Sequence, residues 1–289
     1  MAKIVLENDR LKVEIAAPGE DYKGGRYDWT GITRQITLDG KHTFLTPEVP
    51  DSMDGGGLMG VWEFKSNGFF EDSELGEQFP LMGVGLLGKG SLAFDRAADF
   101  AILPFRRNVQ VSDEGDYVSF ETFPTSCHGR AMYQFKEMWI EDNSLFISQN
   151  IRNVGTKALD LTEFNHNFMC FDGQKVDASY KLVTGYKPIV DVRRGMIGVE
   201  TDGIRLIEMD APTASAACKI DGFQGMPNSF WQVKNDKTKT AVDIAEDFPC
   251  ARSYNWFCDQ AFCCETFCDA SLEPGEELSF TRQYTFHEL

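Results

Sequence analysis

The sequence is poor in basic residues and contains no long apolar run. There are 28 lysines and arginines against 45 acidic residues, so the formal net charge is −17. A surface of this sign repels phosphate backbones and anionic lipids, and we therefore expect neither nucleic acid nor a membrane as a partner. No stretch approaches the roughly 18 apolar residues of a membrane span. Charge returns at Glu7 after only three apolar residues, so no secretory segment is expected and the prediction is a cytoplasmic protein.

Cysteines at paired, metal-binding spacing are also lacking. Five of the eight cysteines come late in the chain, none of them in a C-x-x-C unit or beside a histidine: Cys250, Cys258, Cys263, Cys264 and Cys268. This spacing argues against a zinc site, and we expect no metal and no cofactor. On a strand, Cys264 and Cys268 would share one face, while Cys263 and Glu265 would lie on the other. We expect the buried thiols to behave as small hydrophobic side chains.

Long amphipathic helices are missing from the pattern, and alternation with a period of two residues takes their place. Clear examples are 11–15, 36–38 and 133–139, and an Asp39-Gly40 turn follows the second of them. An Asp-Gly connection is typical of β-hairpins, because both residues tolerate positive φ. Many strands with turns between them predict an all-β fold, a large antiparallel β-sandwich. Without repeats, linkers or low-complexity segments, residues 1–289 are expected to form a single domain.

Two distant segments carry side chains suited to acid–base chemistry. His166 stands between Asn165 and Asn167 near the end of a predicted strand, and Glu265 lies far downstream among phenylalanines and cysteines. A carboxylate in such surroundings is rarely buried alone, so it pairs with a cation or lines a pocket. Opening a cyclic sugar needs one acid and one base, each contributing ~10²–10⁴-fold. We predict His166 as the acid and Glu265 as the base. A backbone-bonded histidine and an arginine-paired glutamate are the competing interpretations.

Two further segments are typical of a sugar-binding pocket. The turn 24–31 carries Arg26 and Asp28 among glycines and aromatics, and Trp256 lies in a second aromatic stretch. Sugars are held by bidentate polar groups with an aromatic ring against their C–H face, so these residues are predicted to bind substrate. The alternatives are a structural corner closed by an Arg26–Asp28 pair and a tryptophan buried in the core.

Three segments resemble the galactose mutarotase (aldose 1-epimerase) family. The stretch 153–168 resembles the family's glycine turn and the strand that ends in an Asn/His/aromatic cluster. Segment 262–286 is similar to the family's Cys-Leu-Glu segment, Leu-x-Pro-Gly-Glu turn and final strand, and 6–15 is similar to its opening strand. The resemblance implies the family's galactose mutarotase-like supersandwich and a small-molecule carbohydrate as partner.

Carried over residue by residue, the resemblance makes His166 the general acid and Glu265 the general base. Asn165, which adjoins His166, is predicted to contact the substrate. The family has a second active-site histidine in an Asn-x-x-His-Gly-Gly segment, and this sequence has no such segment. His128, in a predicted loop, is a candidate substitute for it near the substrate. His42 is expected at the surface.

Three functions are compatible with these residues. The first is an aldose 1-epimerase-like isomerase, and the second is a carbohydrate-binding protein that uses the same cleft without turnover. The third is a lyase that removes a proton beside a uronate carboxylate, with a tyrosine or histidine as base and an arginine or a metal to neutralise that carboxylate. Arg26, Arg106-Arg107 and Arg193-Arg194 are available for this role. The sequence leaves the identity of the sugar and the oligomeric state open.

Overall fold

The computed structural model describes residues 3–65, 68–95, 98–209 and 215–289. Within these ranges the chain forms two large antiparallel sheets and a small third sheet, whose strands are numbered in chain order. The first sheet comprises β1 Ile4–Glu7, β2 Leu11–Ile15, β3 Thr33–Leu38, β4 His42–Thr43, β5 Leu58–Phe64, β13 Leu159–Asn167, β15 Ile189–Arg194, β18 Ala216–Asp221, β21 Arg252–Phe257 and β22 Phe262–Leu272. The second comprises β9 Arg106–Val111, β10 Tyr117–Phe123, β11 Met132–Glu141, β12 Ser144–Asn153, β14 Tyr180–Val183, β16 Met196–Val199, β17 Gly203–Glu208, β19 Ser229–Asn235, β20 Thr240–Glu246 and β23 Glu277–Glu288. The third comprises β6 Gln78–Leu81, β7 Gly85–Gly88 and β8 Ile102–Pro104, and the helical elements are α1 Gly68–Glu71 and a 3₁₀ turn Phe171–Gly173.

The strand order brings distant parts of the chain together. In the first sheet the order is β1-β2-β3-β5-β13-β22-β21-β18-β15, with β4 beside β3. β13 therefore lies between β5 and β22, where His166 is opposite Met59 and Phe164 is opposite Phe267. In the second sheet, β23 lies between β20 and β12. The segments that carry the predicted acid and base are thus neighbours in space.

Alternation along β13 and β22 gives the first sheet two different faces. Its inner face points to the second sheet, where Nδ2 of Asn165 donates a hydrogen bond to Oη of Tyr284 at 3.0 Å. Its outer face points away from the second sheet, and Phe164 on that face shares a hydrophobic cluster with Phe79 and Leu87 of the third sheet. The outer face is therefore partly covered by the third sheet.

The main hydrophobic core lies between the two large sheets. Val13 and Ile36 from the first sheet meet Leu145 and Ile147 from the second in one buried cluster. Burying each such side chain contributes about 1.5–3 kcal/mol to folding. The predicted all-β antiparallel sandwich is confirmed. In the described part of the chain, no helix combines the length and apolar character needed to span a membrane.

The region around β3 and β4 contains one confirmed prediction and one wrong one. The hairpin forms, with Leu38 opposite His42, and Asp39 and Gly40 adopt φ values of 52° and 63°. His42 is not at the surface, since it is only 7% exposed. Its Nδ1 lies 2.8 Å from Oδ2 of Asp172, and this carboxylate satisfies that buried nitrogen.

Candidate active site

A cavity of about 540 Å³ opens on the outer face of the first sheet. β13 contributes Phe164 and His166 to its lining, β22 contributes Glu265 and Phe267, and β21 contributes Trp256. These side chains reach one surface because adjacent strands in register present alternate residues to the same face. The volume and the mixture of aromatic and charged groups are typical of a small-molecule site.

His166 and Glu265 are in direct contact in this cavity. Nδ1 of His166 lies 2.9 Å from Oε1 of Glu265. The same Oε1 accepts hydrogen bonds from Nε1 of Trp256 at 3.1 Å and from the thiol of Cys263 at 3.4 Å. His166 is 9% exposed and Glu265 is 4% exposed, yet both border the cavity. Two hydrogen-bond donors and the adjacent imidazole therefore compensate a carboxylate that would be costly to bury alone.

Aromatic rings fix the orientation of the His166 imidazole. Its centroid lies 5.5 Å from that of Tyr27 in an edge-on contact, 5.2 Å from Phe164 and 5.4 Å from Phe168. The ring is thus held with Nδ1 toward Glu265. Among the described residues, no hydrogen bond engages its Nε2 atom. This nitrogen is the one left for a ligand.

Asn165 and Asn167, which flank His166 in the sequence, anchor β13 from the inner face. Oη of Tyr284 accepts a hydrogen bond from Asn165 and donates one to Asn167, each at 3.0 Å. Nδ2 of Asn167 also donates to the backbone carbonyl of Cys264 on β22 at 2.6 Å. The prediction that Asn165 belongs to the substrate site is wrong, because strand alternation places its side chain on the opposite face from His166 and it does not line the cavity.

His166, Cys263 and Glu265 form the one group of described residues that could hold a metal ion. Their nitrogen, sulfur and oxygen atoms all lie within 4.8 Å of one another, and zinc accepts this mixture of donors. Burial and the charge of Glu265 raise the pKa of Cys263 well above its ordinary value, so the thiol keeps its proton and donates it. A bound metal would displace that proton. Cysteine spacing could not reveal this group, because its members come from two strands.

Arg26 lines the cavity at the rim expected for it, but its partner differs from the expected one. Nη1 of Arg26 lies 2.9 Å from Oε1 of Glu48. The hydroxyl of Tyr27 donates to the other oxygen of Glu48, also at 2.9 Å. Burial raises the pKa of Tyr27 far above its ordinary value, so this phenol remains protonated. Glu48 therefore links the turn with Arg26 to the aromatic wall around His166.

Asp28 lies outside the cavity, in a buried ion pair. Its Oδ2 is 2.8 Å from Nζ of Lys136, and its side chain is 0% exposed. Burial by itself would raise the pKa of Asp28, but Lys136 and neighbouring donors hold that pKa below its ordinary value. The carboxylate cannot reach a ligand in the cavity. Neither the expected substrate contact of Asp28 nor its alternative pair with Arg26 is present.

Trp256 lines the cavity and His128 does not. The indole ring of Trp256 is half-buried and donates to Glu265, so it is neither a sealed core residue nor a purely exposed one. Nε2 of His128 instead lies 3.2 Å from the carbonyl oxygen of Gln78 and 3.8 Å from Glu77. Of the four histidines, all in the described ranges, His166 alone borders the cavity. No second imidazole is brought to it.

The arginines considered for binding a uronate divide between the cavity and its surroundings. Arg26 and Arg194 belong to the lining. Arg193 pairs with Asp191 at 2.5 Å, and Arg106-Arg107 lies outside the lining. Only part of that set can therefore meet a ligand.

Several residues that line the cavity could not have been predicted from sequence patterns alone. Glu48, Glu63 and Lys219 come from a loop, from β5 and from β18, and only the register of the folded sheet brings them together. Arg252 is different, since it lies four residues before Trp256 on the same strand face. Once Trp256 was predicted to line the site, alternation along β21 could have predicted that Arg252 faces the same side.

Comparisons with known proteins identify the fold. No family model and no curated protein matches the sequence. A candidate aldose 1-epimerase from Escherichia coli K12 superposes with a TM-score of 0.64 at 11% identity, over 100% of this chain and 99% of that one. A galactose mutarotase related enzyme from Lactobacillus acidophilus gives 0.62 at 13% identity over 99% and 97% of the two chains. An aldose epimerase homologue from C. elegans gives 0.56 at 15% identity over 100% and 99%. The protein therefore has a galactose mutarotase-like fold, as the resemblance implied.

Proposed function

We propose that the protein is an aldose 1-epimerase-like isomerase that interconverts the anomers of a free sugar or sugar derivative. The observation that carries the proposal is the 2.9 Å contact between Nδ1 of His166 and Oε1 of Glu265 in a cavity of sugar size. Proteins of similar fold named as aldose epimerases and mutarotases are consistent with this chemistry.

Ring opening requires two proton transfers in opposite directions. Glu265 takes the proton of the anomeric hydroxyl, whose electron pair forms the C1 carbonyl as the bond between C1 and the ring oxygen breaks. Protonated His166 gives its proton to that ring oxygen. Rotation about the C1–C2 bond presents the other face of the aldehyde, and the reversed transfers close the ring. Each placed group contributes ~10²–10⁴-fold to the rate.

The contacts leave one atom of each group for the substrate. Oε1 of Glu265 is occupied by His166, Trp256 and Cys263. Oε2 of Glu265 and Nε2 of His166 have no hydrogen bond among the described residues. The substrate's anomeric hydroxyl would meet Oε2, and its ring oxygen would meet Nε2. The half-buried Trp256 ring offers an apolar surface beside them.

Saturation-transfer NMR on a panel of aldoses tests this function, because it measures anomer exchange directly. Wild-type protein should accelerate exchange of at least one sugar, and His166→Ala and Glu265→Ala should each slow it by ~10²–10⁴-fold. His287→Ala is the matched control, since His287 pairs with Asp243 outside the cavity. Exchange that is equally fast in all four proteins would rule the proposal out.

A carbohydrate-binding protein without turnover is the second candidate, and the single imidazole in the cavity favours it. It predicts that the same sugars bind, as seen by saturation transfer from protein to ligand, with no faster anomer exchange. Ultraviolet absorbance that grows on incubation with a uronate polymer would instead identify a lyase.

A further inference from the structure

Positive charge is concentrated in the cavity although the chain as a whole is acidic. Four basic and three acidic side chains line it, whereas the whole chain has 28 and 45. The basic ones are Arg26, Arg194, Lys219 and Arg252. A cleft that reverses the sign of the surrounding surface attracts ligands of the opposite charge.

Two of these four basic residues already have acidic partners. Nη1 of Arg26 lies 2.9 Å from Oε1 of Glu48. Nη2 of Arg252 lies 3.3 Å from Oε2 of Glu63, and its guanidinium carbon is 4.3 Å from the centre of the Phe267 ring. These cations are neutralised within the wall of the cavity. An incoming anion would have to compete with a carboxylate for either of them.

Among the residues that the structure describes, Arg194 and Lys219 have no such partner. Both side chains are exposed in the cavity, and neither forms an ion pair or a side-chain hydrogen bond with any described residue. Arg194 on β15 is opposite Ala217 on β18, and Lys219 is two residues further along the same face of β18. Lys219 is itself opposite Asp191, whose carboxylate pairs with Arg193 at 2.5 Å. An anion bound between Arg194 and Lys219 would be attracted by both cations, and a neutral group would not.

Strand register relates these two cations to the reactive pair. Ala217, which is opposite Arg194, is also opposite Trp256 on β21. Trp256 in turn donates to Glu265. Arg194 is therefore two strand spacings, roughly 10 Å, from the backbone of Trp256. The cations occupy one end of the cavity and the acid–base pair occupies the other.

We propose that the substrate is an anionic sugar, whose phosphate or carboxylate group binds between Arg194 and Lys219 while its anomeric carbon faces His166 and Glu265. A guanidinium and an ammonium group together offer forked and single donors to such oxygens, and charge-assisted bonds of this kind are the strong ones. Only the placement of the anomeric carbon rests on the proposed function. The anion site rests on two cations that are unpaired within the described ranges of the chain.

The experiment compares glucose, glucose 6-phosphate and glucuronate in two measurements, anomer exchange by NMR and binding by calorimetry. The proteins are wild type, Arg194→Gln, Lys219→Gln, the double variant and Arg152→Gln. Arg152→Gln is the matched control, because it removes the same charge from an exposed side chain of the second sheet that pairs with Glu277 outside the lining. Removing either cation should lower kcat/KM for the anionic sugar about tenfold, and removing both should lower it about 100-fold. Neither glucose as substrate nor the control variant should show such a decrease.

The two anionic sugars separate the two possible sources of charge, since preference for one identifies phosphate or carboxylate. A wild-type preference for glucose, or equal decreases for all three sugars in the double variant, would overturn the anion site and leave the epimerase function standing. Anion binding that disappears in the double variant without exchange in wild type would support the site and reject the epimerase function. Absence of binding to either anionic sugar would reject the site.

Discussion

The inner and outer faces of β13 and β22 both carry buried charged pairs, but only the pair on the outer face borders a cavity. On the inner face, Glu163 is fully buried, and Nη1 of Arg282 lies 2.7 Å from its Oε2. On the outer face, His166 and Glu265 are similarly close, yet both border a cavity. Glu163 and His166 lie on the same strand, three residues apart, so alternation places their side chains on opposite faces. The pair of Glu163 with Arg282 is therefore sealed between the sheets, and the pair of His166 with Glu265 can contact a ligand.

This contrast shows that the two pairs differ in access to open space more than in burial. Burial raises the pKa of Glu163, although the attraction of Arg282 opposes the shift. Arg282 also lies 2.7 Å from Glu246, so one cation compensates two carboxylates in a sealed layer. Removing a partner from such a cluster leaves a buried charge alone. The outer pair has neighbours on one side and open space on the other.

The most direct way to break the comparison is to make the same substitution on both faces. Glu265→Gln removes the proposed proton acceptor, and we expect anomer exchange to fall by ~10²–10⁴-fold with little loss of stability. Glu163→Gln should largely retain exchange and lower the free energy of unfolding, because Arg282 loses part of its compensation. Exchange rates and urea unfolding curves check both results. A Glu163→Gln protein without exchange but with native stability would contradict the division of roles.

A second comparison uses two arginines that differ in exposure. Arg282→Met should lower the free energy of unfolding by about 3–5 kcal/mol, because it leaves Glu163 and Glu246 buried without their cation. Arg252→Met, at a side chain that is 45% exposed, should change it by about 0–1 kcal/mol. Urea denaturation measures both. Equal decreases would mean that the inner cluster is not the stronger contributor.

Tyr284→Phe tests whether hydrogen bonds on the inner face of β13 help to position His166 on its outer face. The variant lacks the hydroxyl that holds Asn165 and Asn167, and we expect the unfolding free energy to fall by about 1–3 kcal/mol. Because both amides belong to the strand that carries His166, exchange should slow as well, with kcat reduced more than KM is changed. Lower stability with an unaltered kcat would restrict Tyr284 to a structural role.

The smallest effect is expected from Trp256→Phe, which keeps an aromatic ring and removes one hydrogen-bond donor. Oε1 of Glu265 would retain its interactions with His166 and Cys263. We expect exchange to slow by about tenfold, the value of one hydrogen bond to a charged group. NMR exchange rates check this, and a rate equal to that of wild type would show that the indole N–H does not support Glu265.

The sequence was sufficient for the parts of this structure that depend on local alternation. Period-two patterns predicted the strands around 11–15 and 133–139, and the Asp39-Gly40 turn predicted its hairpin correctly. The same alternation separated Cys263 and Glu265 from Cys264 and Cys268, because neighbouring positions on a strand point to opposite faces. The prediction that His166 and Glu265 lie together depended on the family resemblance, because the residue pattern within a strand does not specify which strand pairs with it.

The remaining site residues depend on register between distant strands and on loop partners. Arg26 and Asp28 are two residues apart, yet one reaches the cavity and the other pairs with Lys136 in the interior. Their spacing in an irregular turn gave no indication of which would face a ligand. Asn165 was assigned to the site because it adjoins His166, although adjacency on a strand implies the opposite face. Lys219 carried no local signal.

The position of β23 in the second sheet has a consequence for synthesis of the protein. This strand pairs with β12, where Ser144 is opposite Thr285, and it supplies both Arg282 and Tyr284. When β13 has been synthesised, Arg282 and Tyr284, which anchor it, have not yet been made. Pairing between strands so far apart in the chain is slow to form. A nascent chain that ends before residue 277 would already contain His166 and Glu265 but would lack their anchors. We expect such a chain to depend on chaperones and to reach its native fold only once β23 has been made.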